Sequence, residues 1–166
     1  KPRQNTIMPR IIYVYEGVDT EKDGRPRLVN TKYFGGEYEG TKEIRKLWNE
    51  VLDYLNEAYD MDAVEHIYIN GDGASWIRSG VNIIPKSKFA LDKYHMHKYI
   101  LAATSHLEDS AEDARSEIYR AIHKKKKWMA EGIFDKIIEM TERDTKQKAV
   151  EKAKAYILGN WSGILL

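Results

Sequence analysis

The sequence contains no cysteine. Disulfides, thiolate zinc sites and a cysteine nucleophile are therefore excluded, and a reducing compartment fits. There is almost no charge imbalance: the formal net charge is +1, so nothing global signals nucleic acid and any such signal must be local. No apolar run approaches the ~20 residues that a spanning helix needs. The N-terminus lacks a basic-then-apolar leader pattern. No membrane partner is expected. There is no internal repeat, and the one low-complexity stretch is Lys124-Lys125-Lys126-Lys127. What is present is a 42% hydrophobic, 32% charged chain of 166 residues, which suits one folded domain with a heavily charged surface. The chain starts at Lys1 without methionine and stops at Ile164-Leu165-Leu166, just after "GNWSG". A piece of a longer protein is expected.

The fold class expected is α/β. "RIIYVY" over residues 10–15 is β-branched and aromatic and reads as a strand. A turn centred on Asp23-Gly24 leads to a returning strand over 27–34, and Gly35-Gly36 breaks it. Residues 41–59 carry Ile44, Leu47, Trp48, Val51, Leu52, Leu55 and Tyr59 at helical spacing, with Thr41 as the N-cap. "AVEHIYIN" at 63–70 reads as a strand, "ASWIRSG" as a helical turn and "KFALD" at 88–92 as a further strand. A helical crossover favours parallel pairing of 65–71 with 88–92 or a near neighbour. From Lys93 onward only helices are expected, near 94–105, 110–126, 128–142 and 145–158, with Gly159 as terminator. Residues 1–92 and 93–166 form the two parts.

"NGDGASW" then poses a problem. An aspartate between two glycines ends a buried-looking strand, and a turn needs only one glycine. Asp72 is a candidate metal ligand, since Gly71 and Gly73 would let a metal or phosphate approach the backbone. The alternative is a plain turn, because Asn-Gly-Asp-Gly is rich in residues that tolerate positive φ. Asp92 and His95 stand three apart at a strand-to-helix junction and are candidates for the same cleft, while Asp92 is equally a good N-cap. His95 and His97 face different ways on a helix and make a poor metal pair. Lys124 to Lys127 could bind phosphates, or be a solvated junction between helices. The four tryptophans invite a base-stacking reading, but Trp48, Trp76, Trp128 and Trp161 are all read as structural.

Three blocks, "IYINGDGASWI" (67–77), "IPKSKFALDKYHMHKYI" (84–100) and "YILGNWSGI" (156–164), resemble the ISLre-type bacterial insertion-sequence transposases, in one order along nearly the whole chain. "VYEG" (14–17), "LVNTKYFGG" (28–36) and "LWNEV…YLNEAYD" (47–60) fit too. That family resembles Mutator-type transposases. The resemblance implies a ribonuclease-H-like mixed sheet, here partial, followed by an all-helical insertion. It implies DNA strand cleavage and strand transfer by a DDE enzyme, with three carboxylates holding two Mg2+ or Mn2+ ions.

By that resemblance Asp72 is the second catalytic aspartate. Asp92 and His95 stand where the Mutator relatives carry a cysteine and a histidine, so they are candidates for supporting a ligand or positioning DNA. A zinc or thiol role does not transfer. The first aspartate would lie before "IIYVYEG" and the final glutamate after "NWSGI", so this piece alone is expected to be inactive. A missing strand would leave the hairpin and strand 65–71 without a common neighbour. Arg78, Lys86, Lys88 and Lys124 to Lys127 are candidate phosphate contacts. The implied partner is DNA, as element ends and target, with a homo-oligomer possible and a bacterial cytoplasmic, nucleoid-associated setting. The alternative is a non-catalytic DNA-binding or scaffold domain derived from a transposase.

Overall fold

A computed structural model describes residues 9–20 and 24–164. Asp23 of the expected turn and Leu165-Leu166 lie outside them. The described residues form a mixed α/β structure with small sheets and several helices. They divide into two compact units. One holds residues up to Ile67 together with Ser79–Lys86. The other holds Tyr68–Arg78 together with everything from Ser87 onward. The expected boundary after residue 92 thus falls inside the second unit.

In the first unit the hairpin forms in two steps. β1 (Arg10–Val14) pairs antiparallel with β4 (Lys32–Gly36), with Ile12 opposite Phe34. β2 (Gly17–Thr20) pairs with β3 (Pro26–Val29), with Val18 opposite Leu28. The return expected as one strand is split at Asn30, whose φ of 50° is a value asparagine tolerates. Its side-chain amide donates to the Glu16 carboxylate at 2.8 Å, which fastens the two sides of the break. Gly35 lies inside β4 and Gly36 is its last residue, so the strand ends at the pair and not before it. A Cβ at Gly35 would stand 3.1 Å from the Arg10 carbonyl oxygen, so glycine permits a close approach of the two strands.

α1 (Gly40–Ala58) buries Ile44, Leu47, Trp48, Val51 and Leu55 along one stripe and packs on β4. Each such side chain removed from water contributes about 1.5–3 kcal/mol. Thr41 is not the N-cap. The helix already starts at Gly40, whose φ of 74° turns the chain into it, and Glu39 is the N-cap without a side-chain capping bond. Trp48 seats directly on Gly80, where a Cβ would lie 2.6 Å from the indole ring.

In the second unit β5 (Ile67–Gly71) pairs with β6 (Ser87–Leu91). The Ile67 N–H donates to the Lys86 carbonyl near the strand starts, and the Asp92 N–H to the Gly71 carbonyl at their ends. Starts meet starts and ends meet ends, so the pair is parallel. α2 (Ser75–Arg78), and a 3-10 turn over Ser79–Asn82 that belongs to the first unit, make the crossover. Then come α3 (Lys93–Thr104), α4 (Ala111–His123), α5 (Lys127–Met140), α6 (Asp144–Gly159) and the short α7 (Trp161–Ile164). α3 packs on α6, α4 on α5, and α5 on α6 around a core that includes Ile100, Ile118, Phe134, Val150, Ile157 and Trp161. Gly159 stays within α6, and Asn160 is its C-cap. No described helix is long and apolar enough to cross a membrane. The described strands make three separate pairs, with no continuous five-stranded sheet.

Candidate functional site

The loop after β5 is the centre of interest. Asp72 is exposed, and its Oδ1 accepts the Ala74 N–H at 2.9 Å. That local bond fixes the turn. The second carboxylate oxygen has no partner among the described residues.

The flanking glycines are explained by packing rather than by space for a ligand. A Cβ on Gly71 would lie 2.9 Å from both Cδ1 and Cγ2 of Ile77. A Cβ on Gly73 would lie 2.8 Å from Oδ1 of Asn160, and Gly73 also has a φ of 88°. The protein's own side chains fill the room that the sequence reading offered to a metal or phosphate. That expectation is corrected, while the carboxylate itself stays open to solvent.

α6 reaches back to hold this loop. The Tyr156 hydroxyl donates to the Asp72 carbonyl at 2.6 Å. Four residues on, and so on the same helical face, Asn160 donates from Nδ2 to the Tyr156 carbonyl at 2.9 Å and wedges beside Gly73. Asn160 is only 6% exposed, and its Oδ1 has no hydrogen-bond partner among the described residues. The Tyr156 ring stacks on Tyr99 with centroids 3.8 Å apart. Burial, and then the nearby Asp72, Tyr99 and Asp92, push the Tyr156 hydroxyl up to about 12. It therefore remains a proton-bearing donor throughout the physiological range. Both residues lie in the block "YILGNWSGI", but nothing in the sequence gives either of them a role. Their spacing puts them on one face but does not say what that face meets.

Asp92 occupies the matching place after β6, and both of its oxygens are engaged. Oδ1 accepts the Tyr94 N–H at 2.7 Å, which makes Asp92 the N-cap of α3. Oδ2 lies 2.8 Å from Nδ1 of His95. Burial works to raise the Asp92 carboxyl, but the His95 and Tyr94 bonds outweigh it and hold the group below the usual carboxylate range. An ionised carboxylate there fixes the ring proton on Nδ1 and leaves Nε2 as the acceptor of the neutral ring. His97 lies away from this pair: its Nδ1 is 2.7 Å from the Tyr119 hydroxyl and the rings stack.

The basic candidates separate. Lys86 is not a free phosphate contact, because its ammonium donates to the carbonyls of Met61, Asp62 and Val64. The Arg78 guanidinium lies 5.9 Å from the Phe89 ring centroid. Lys88 is exposed on β6. Lys124 to Lys127 form the exposed turn from α4 into α5. Of the tryptophans, Trp48 and Trp161 are buried, Trp76 is partly buried and Trp128 is 68% exposed. The structural reading of Trp128 is corrected. It falls on the solvent side of α5, whose buried side carries Ala130, Phe134 and Ile137.

For a metal ion, the described residues supply too little. No group of three or more His, Asp or Glu side chains is placed to hold one. Asp72 offers one open carboxylate, and the oxygens of Asp92 are already taken. Two ions do not fit these residues alone.

Comparison with known proteins adds lineage. The chain is 41% identical over 156 residues to a UPF0236 protein of Caldanaerobacter subterraneus subsp. tengcongensis whose name joins eleven loci. It is 40% identical to two others from that organism, whose names join four and two loci. Each match covers 94% of this chain but only 30–32% of the relative, so the chain spans about a third of their length. No solved structure matches it. The family model for UPF0236, described as an uncharacterised protein family, matches residues 1–166, and the chain belongs to that family.

Proposed function

We propose that the chain is part of the catalytic core of a DDE-type DNA transposase of the ISLre type. The observation that carries the reading is Asp72. It is an exposed carboxylate with one free oxygen, on a loop fixed by its neighbours, at the carboxyl end of a parallel strand pair. Ligands of open α/β sheets gather at such ends. A preorganised carboxylate is what a hard divalent cation requires. The sequence blocks around it supply the family resemblance. The relatives' names point the same way: one protein name shared by eleven loci of one genome is the distribution that a self-copying element leaves.

The ribonuclease-H-like fold belongs to the same reading. Among the described residues β1 has one strand neighbour, β4, and β5 has one, β6. Each keeps an edge on which a further strand could pair. The remaining two carboxylates are assigned to the two-thirds of the longer relatives that this chain does not span. Mg2+ or Mn2+ held by the full set would supply charge stabilisation for phosphoryl transfer on DNA. Of this chain's own residues, Asp72 would contribute one ligand. Asp92 orients His95, whose Nε2 is available to accept a hydrogen bond from a water or a 3′-hydroxyl. Lys88 and the lysine turn remain candidate phosphate contacts. A bacterial cytoplasmic location and a homo-oligomer are part of the proposal.

A second reading has its own observation. Gly71 and Gly73 are accounted for by Ile77 and Asn160 alone, as a purely structural turn would require. A non-catalytic DNA-binding or scaffold domain would carry such a turn. The test uses the protein at the full length of its relatives, on DNA bearing the element's ends, with Mg2+ or Mn2+. The expected result is cleavage and strand transfer that vanish in Asp72→Asn. Undiminished activity in Asp72→Asn would overturn the assignment. DNA binding without cleavage would favour the second reading.

A further inference from the structure

From the turn between α4 and α5 we infer a contact for nucleic acid with unpaired bases, in which Trp128 stacks on a base and Lys124 to Lys127 hold the flanking phosphates. The inference takes DNA as the partner from the reading above, but it rests on a different part of the molecule.

Trp128 is an outlier for its type. It is 68% exposed, whereas Trp48 and Trp161 are at most 9% exposed. It stands in the first turn of a 14-residue helix, so the ring is mounted on a rigid element. Among the described residues its partner is the Lys126 ammonium, 5.9 Å from the ring centroid. A large exposed aromatic ring offers a π-face that any base can use, and base–aromatic stacking is sequence-tolerant for that reason. A closed duplex keeps its bases stacked on one another, so the fit is to unpaired bases.

The charge accounting points to an anion. None of the four lysines is in an ion pair among the described residues. Carboxylates that would offset the run are engaged elsewhere or too distant. Glu117 pairs with Arg120. Glu131 and Asp135 both pair with Lys154. Glu112 and Asp113 sit in the first turn of α4, roughly 16 Å or more along the helix from Lys124. That exceeds the Debye length of about 10 Å at 0.1 M salt. The carboxylates of α4 therefore leave the charge of the run uncompensated. Lys125 also adopts a φ of 56° to complete the turn, a position where glycine or asparagine is the less strained choice. The run keeps its charge at a conformational cost.

The test measures binding of a fluorescent oligothymidine and of a duplex of equal length to this protein, in chelator, across a salt series. Neither metal nor Asp72 is needed, so failure here and failure of the transposase reading are separable. Trp128→Ala is expected to weaken oligothymidine binding roughly tenfold or more, with the duplex little affected and the salt slope unchanged. Trp128→Phe should restore most of the loss. Replacing Lys124 to Lys127 by glutamine should reduce the slope of log affinity against log salt by roughly 2 to 3. The inference is overturned if Trp128→Ala binds like the parent, or if it loses affinity equally for duplex. It is also overturned if the lysine variant keeps the full salt slope, or if polyglutamate competes with the same dependence on Trp128.

Discussion

Asp72 and Asp92 stand at the carboxyl ends of adjacent parallel strands, in loops joined by the bond from the Asp92 N–H to the Gly71 carbonyl. Their side chains nevertheless do different work. Asp92 turns inward on its own helix: one oxygen caps α3 and the other holds His95. Asp72 uses one oxygen to shape its turn and leaves the other to solvent, while the backbone beneath it is held from α6 by Tyr156 and Asn160. The difference separates a carboxylate that stabilises structure from one that structure holds in place. A residue of the second kind contributes little to stability and is available for chemistry.

The comparison is most easily broken at the glycine. Gly73→Ala forces a Cβ against the Asn160 amide at a φ of 88°, and should cost roughly 1–3 kcal/mol in thermal or denaturant unfolding. A melt unchanged from the parent would mean that α6 does not hold the loop. Next comes the contrast between the aspartates themselves. Asp92→Ala removes an N-cap and should cost about 1 kcal/mol, whereas Asp72→Asn should stay within about 0.5 kcal/mol. Equal losses would erase the distinction. Tyr156→Phe keeps the ring on Tyr99 but deletes the bond to the Asp72 carbonyl. A loss of about 0.5–1.5 kcal/mol is expected, with faster amide exchange at Ala74. Unchanged exchange would remove Tyr156 from the account.

The smallest effect is in acid. The folded-state pKa of Asp92 is depressed. Its contribution is therefore fully present above the ordinary carboxylate value and is lost as pH falls below it, through the depressed value. Asp92→Asn, which retains a capping oxygen, should flatten that acid limb in a pH series of melts. An identical limb in the variant would contradict the assignment.

Much of this was legible in local spacing. The α1 stripe, the parallel pair, the helices from Lys93 onward and the capping role open to Asp92 follow from residues close together in the chain. The glycines of "NGDG" did not yield in the same way. Gly71 answers to Ile77, six residues on. Gly73 answers to Asn160, and Tyr156 meets Asp72 across a separation of 84 residues. No local pattern encodes a partner at that distance. Lys86 and Trp128 failed for a related reason: a lysine reads the same whether it binds phosphate or three carbonyls, and a tryptophan reads as core until the helix face is known. The two glycines between which Asp72 stands are thus packing requirements, and the proposed role rests on the carboxylate they frame.

The most direct test of the central claim sets Asp72→Asn beside Asp92→Asn in a protein of the relatives' full length. DNA cleavage with Mn2+ is read on substrates carrying the ends of the proposed element. Loss of cleavage in Asp72→Asn, with Asp92→Asn retaining it, is the predicted result. Cleavage that survives in Asp72→Asn would contradict the account and leave the loop as a turn.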